Sequence, residues 1–111
     1  MTFNTEIADF FRDYVAAFAR SDADALAGLW EEVGLFPSPT GNFAMDRASF
    51  RQHCAGLMDF YRDQGVVRPE GELLSASELF PGVAEARMAY RMMGEGDTLV
   101  AQWEHVYILR R

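Results

Sequence analysis

Residues Thr98–Arg111 read T-L-V-A-Q-W-E-H-V-Y-I-L-R-R, a run whose β-branched and aromatic residues mark a strand with an acid, Glu104, in its middle. By strict alternation Val100, Gln102, Glu104, Val106 and Ile108 share one face, and Leu99, Ala101, Trp103, His105 and Tyr107 the other. Both faces are largely apolar, so both are expected to be covered. A carboxylate in such a strand is costly to bury, which makes Glu104 either a paired structural acid or a functional group in a cavity.

Upstream, Val67–Leu79 and Val83–Met93 carry the same two-residue period and are separated from each other and from the last strand by P-G and G-E-G-D turns, which predicts an antiparallel meander. The first half of the chain has a different period. Between Thr5 and Arg20 the residues Ile7, Phe10, Phe11, Tyr14, Val15 and Phe18 recur at helical steps, so Tyr14 points inward, either packing or presenting its hydroxyl. A second short helix starts at S-D-A-D, capped by Ser21 or Asp22, with Leu26, Leu29 and Trp30 inward. Glu31–Asp46, broken by Gly34, Pro37, Pro39 and Gly41, reads as two weak strands around a turn. Asp46 then caps a third helix that runs to about Gln64, buries Phe50, Cys54, Leu57, Met58 and Tyr61, and stops at Gly65. The order is α+β, three helices in the N-terminal half set on one face of a curved sheet.

One domain accounts for 111 residues. Half the residues are hydrophobic and nine are Phe, which argues against disorder, and no apolar run reaches the roughly twenty residues of a bilayer span. The opening M-T-F-N-T-E-I-A-D lacks a basic stretch followed by an apolar block, so no secretory signal is read and a cytoplasmic location is the expectation. A net charge of −7, with Arg as the sole cation type, argues against nucleic-acid and anionic-membrane surfaces. One cysteine, Cys54, and two histidines without ligand spacing lead us to expect no disulfide, metal or cofactor. Cys54 lacks a base on its own helix, since His53 points about 100° away, so it reads as core.

This order of elements, with Y-V-A-A-F-A-R-S-D-A-D-A-L-A-G-L-W near the start and W-E-H-V-Y-I-L-R-R at the end, resembles the nuclear transport factor 2-like superfamily, which includes SnoaL-like polyketide cyclases and ketosteroid isomerases. The resemblance covers nearly the whole chain and implies a cone, a strongly bent, mainly antiparallel sheet around three helices with a pocket at the wide end. It also implies roles. Tyr14, in R-D-Y-V-A-A, matches the oxyanion-donating Tyr of ketosteroid isomerases, and Glu104, in V-A-Q-W-E-H, matches their late-strand acid. Ser38, in P-S-P-T-G, stands where those enzymes carry their Asp base, so steroid isomerisation by that route is not expected.

Two functions follow. In the first, Tyr14 and Glu104 are catalytic or hold the polar group of a small, otherwise apolar molecule, in a pocket lined by Tyr14, Phe18, Trp30, Ser38, Met58, Met88, Tyr90, Gln102 and Glu104. Burial would raise the Glu104 pKa and let it act as a neutral donor or an acid–base group. In the second, the fold is a non-catalytic module for dimerisation or partner binding. Either way Leu99, Trp103, His105 and Tyr107 are read as an outer stripe that a second copy would cover, making a homodimer the expectation.

Overall fold

The computed structural model describes residues 3–111. Its elements are α1 (Phe3–Ala19), α2 (Ala23–Gly28), β1 (Val33–Ser38), β2 (Gly41–Asp46), α3 (Arg47–Asp63), β3 (Arg68–Phe80), β4 (Val83–Met93), a 3-10 turn at Glu95–Asp97, and β5 (Leu99–Arg110). The order is the expected one, and the bounds lie within a residue or two of those read from periodicity.

Local chemistry sets the boundaries. Asp22, rather than Ser21, caps α2, its carboxylate accepting from the Ala25 amide at 3.0 Å. Asp46 does the same for α3, accepting from Ser49 at 2.7 Å, and Gly65, at φ +90°, ends that helix in a conformation that L side chains avoid. Helix α1 buries Ile7, Phe11, Tyr14 and Ala17, and α3 buries Phe50, Cys54 and Met58. Gly71 in β3 is what lets α1 seat closely on the sheet, since a Cβ there would lie 2.6 Å from Val15 Cγ2.

The strands form two units, a β1–β2 hairpin and an antiparallel sheet in the order β3-β4-β5. Register shifts interrupt β3 between Leu73 and Ser75 and between Glu78 and Phe80, bending it around the helices. Along β4 the residues Ala84, Ala86, Met88, Tyr90 and Met92 are all buried, which defines the inner face.

The pairing with β5 carries that facing across, because Tyr90 lies opposite Trp103, Met88 opposite His105 and Ala86 opposite Tyr107. Trp103, His105 and Tyr107 therefore face the helices, and the outer stripe read from the sequence is corrected: Tyr107 is 8 % exposed in a monomer and belongs to the core. Leu99, at the start of the strand, is exposed. Glu104 and Gln102 take the opposite face, in solvent. The Glu104 side chain is 56 % exposed and pairs with Arg87 on β4 at 3.2 Å. The reason is desolvation. Of two alternating faces, the one with Trp, His and Tyr gains more by burial than the one with Gln and Glu, whose carboxylate would lose hydration.

At the end of β5, Arg111 Nε donates to Glu6 at 3.0 Å and Arg110 Nε to Glu31 at 2.8 Å, tying the strand to α1 and to the segment after α2.

Candidate functional site

The inner face gathers hydroxyls among aromatic rings. Tyr14 comes from α1, where its place on the buried stripe aims it at the sheet, and Tyr90 and Tyr107 come from the inner positions of β4 and β5. The Tyr90 and Tyr107 hydroxyls are 2.7 Å apart. Tyr14 hydrogen-bonds to Tyr107 as well and accepts from Trp30 Nε1 at 3.2 Å. The result is a connected chain, Trp30–Tyr14–Tyr107–Tyr90, and among the described residues no buried side-chain polar atom lacks a partner.

Rings enclose this chain. Phe11 and Tyr14 lie 5.0 and 5.6 Å from the Tyr107 ring, and Trp30 packs on Phe36 at 5.2 Å and on Phe50 at 4.4 Å. Between α3 and β5, Tyr61 stacks on Trp103 at 5.7 Å. His105 lies one inner position from Trp103 and one from Tyr107, half-buried, with its ring stacked 4.2 Å from Tyr107.

Burial sets the protonation of these groups. Loss of hydration pushes the Tyr14, Tyr90 and Tyr107 hydroxyls above the ordinary phenol range, so all three are neutral donors at physiological pH. Burial lowers the His105 pKa below its usual value, so its imidazole is neutral there too. Cys54, on the buried stripe of α3, is pushed up to about 11 and is a thiol, as a core cysteine should be.

The structure thus brings together part of the pocket read from the sequence. Tyr14, Tyr90, Met88 and Met58 are buried, and Trp30 packs among them. Phe18 is half-buried against Tyr61 and, with Met58, borders a surface groove of about 150 Å³. Three expected pocket residues lie elsewhere. Glu104 and Gln102 are on the outer face of β5, so Glu104 and Tyr14 do not share a cavity. Ser38 is exposed at the tip of the β1–β2 hairpin, where it donates to the Gly41 carbonyl at 2.8 Å and so serves the turn.

Trp103, His105 and Tyr107 are the members of the site that sequence reading put on the wrong side. Their signal was present in the alternation W-x-H-x-Y, all with polarisable rings on one face.

Helices packed on antiparallel sheet are also what the comparisons with known proteins find. The family described as NTF2-like protein (DUF6841) matches residues 5–111. The chain belongs to this NTF2-like family. No curated protein matches the chain. Solved structures share the NTF2-like fold at low identity. A domain of unknown function with a cystatin-like fold from Nostoc punctiforme is 19 % identical, with a TM-score of 0.73 over 99 % of this chain and 70 % of that one. A ketosteroid isomerase-like protein from Erwinia carotovora atroseptica is 17 % identical, with a TM-score of 0.68 over 94 % and 80 %. An NTF-2 like protein of unknown function from Shewanella oneidensis MR-1 is 14 % identical, with a TM-score of 0.62 over 96 % and 84 %. At these identities the likeness concerns the fold of this NTF2-like chain and leaves its chemistry to its own residues.

Proposed function

We propose that this protein binds a small, largely apolar molecule carrying one hydrogen-bonding oxygen, in the seam between α3 and β5, with the tyrosine hydroxyls as donors. The observation that carries the reading is the chain of three neutral phenols, Tyr14, Tyr107 and Tyr90, set among aromatic rings. A core that needed only packing would be served by Phe at these positions, because each buried hydroxyl must find a partner to offset its lost hydration. A ligand oxygen would exchange one tyrosine–tyrosine bond for a tyrosine–ligand bond, and its apolar body would replace contacts now made by the Tyr61–Trp103 stack. The likeness to a ketosteroid isomerase-like protein agrees with a ligand of this class.

Isomerase- or cyclase-type chemistry would also need a base. Glu104 and Ser38 face solvent, so the group left to take a proton is the neutral imidazole of His105.

Calorimetric titration with 2-tetralone and with its hydrocarbon counterpart tetralin tests the reading. The ketone is expected to bind about tenfold more tightly, the value of one net hydrogen bond, and Tyr107→Phe to remove that preference. Equal binding of the two, or binding of neither, refutes it. Deuterium uptake beside the ketone carbonyl in D₂O, absent in His105→Gln, would extend the function from binding to proton transfer.

A further inference from the structure

We infer that the tyrosine chain holds one free proton, on the Tyr90 hydroxyl, and that this proton selects a ligand oxygen that accepts without donating, a carbonyl rather than an alcohol. The inference rests on the binding function proposed above and names its ligand class. Trp30 supplies one indole N–H and Tyr14, Tyr107 and Tyr90 one O–H each, four protons in all, whereas the chain Trp30–Tyr14–Tyr107–Tyr90 contains three links. One proton is therefore left over, although each oxygen in the chain has a neighbour.

Trp30 fixes which proton it is. An indole nitrogen only donates, so the Tyr14 oxygen accepts in the first link, 3.2 Å long. A hydroxyl that accepts is polarised to donate more strongly, so Tyr14 donates to Tyr107, and Tyr107 donates to Tyr90 across 2.7 Å. The Tyr90 proton then has no acceptor among the described residues. His105 meets Tyr107 ring to ring, stacked at 4.2 Å, and makes no hydrogen bond to the chain.

The two ends of the chain also differ in their surroundings. Trp30 is closed in by Phe36 and Phe50, at 5.2 and 4.4 Å. Tyr90 adjoins Trp103 at 5.6 Å, and the half-buried Trp103 ring forms the α3–β5 seam with Tyr61. The free proton thus belongs to the end that borders the proposed site.

The same count decides which oxygen fits. A carbonyl adds one link and no proton, so that four links use four protons. An alcohol adds one link and one proton, and whichever way the chain turns, one O–H stays unpartnered among the rings, which weakens binding. Tyr14 and Tyr107 act through Tyr90, each turning the next proton forward, and are positioning residues.

Proton NMR of the tyrosine hydroxyls in the ligand-free protein, each assigned through its own ring protons, tests the direction of the chain. The Tyr14 and Tyr107 hydroxyls should lie downfield, as donors do, and that of Tyr90 upfield. An upfield hydroxyl on Tyr14 or Tyr107 instead overturns the inference. Calorimetry with 2-tetralone and 2-tetralol tests the selection. The ketone should bind about tenfold more tightly and move the Tyr90 signal downfield, and Tyr90→Phe should remove the difference in affinity. Equal affinity of the wild type for ketone and alcohol, both above tetralin, overturns this inference and leaves the binding function standing. Binding of neither refutes the two together.

Discussion

At the scale of single residues, His105 and Glu104 are neighbours in the chain with opposite fates. The peptide alternation puts them on opposite faces, and the inner one loses water. For His105 the linkage can be worked through. Its folded-state pKa lies below the unfolded value of about 6.5, so between the two the unfolded chain binds more protons. The stability from keeping the imidazole neutral is complete above about pH 6.5 and declines as pH falls through the folded value. Urea unfolding followed from pH 8 to pH 5 should show this decline, and His105→Gln should flatten it. An unchanged slope would mean that the imidazole protonates as readily inside as out. Periodicity made the separation of the two residues legible in advance. The resemblance then assigned the inner face to Glu104, and the cost of burying a carboxylate left it either a paired structural acid or a group in a cavity; in the fold it pairs with Arg87 on the outer face.

At the scale of elements, the helices and their caps were readable because their determinants are local. Asp22 and Asp46 each bond an amide three residues on, and the stripe from Ile7 to Tyr14 needs only the 3.6-residue period. The contact between α1 and β3 is different, since Val15 and Gly71 are distant in sequence and nothing local marks them as a pair. Gly71→Ala would place a methyl 2.6 Å from Val15 Cγ2 and 3.1 Å from the Tyr90 ring. We expect a loss of about 1–3 kcal/mol from overpacking, measurable by denaturant unfolding and partly recovered by adding Val15→Ala. A neutral Gly71→Ala would mean that α1 can lift from the sheet without penalty.

At the scale of the whole molecule, the two strand units differ in how they are held. The sheet β3-β4-β5 is backed by the core of Phe11, Met88 and Met92, whereas the β1–β2 hairpin rests on the rest of the chain through Phe36 and Met45, with Leu35 and Phe43 exposed. Amide exchange in the hairpin should therefore be faster than in β4 by orders of magnitude, and Phe36→Ala should accelerate it further without changing exchange in β4. Equal protection of both units would show that they open together. The hairpin also carries Ser38, so its position decided that the residue matching the family's base would sit in solvent at a turn. Sequence by itself determined the element order, the caps, the α+β class and the family, because these follow from periodicity and from contacts a few residues long. Tertiary structure decided which face of β5 is inside and which hydroxyls meet there. Alternation defines two faces without naming the inner one, and only the pairing of Tyr90 with Trp103 and of Ala86 with Tyr107 joins β5 to a face that the helices have already dried.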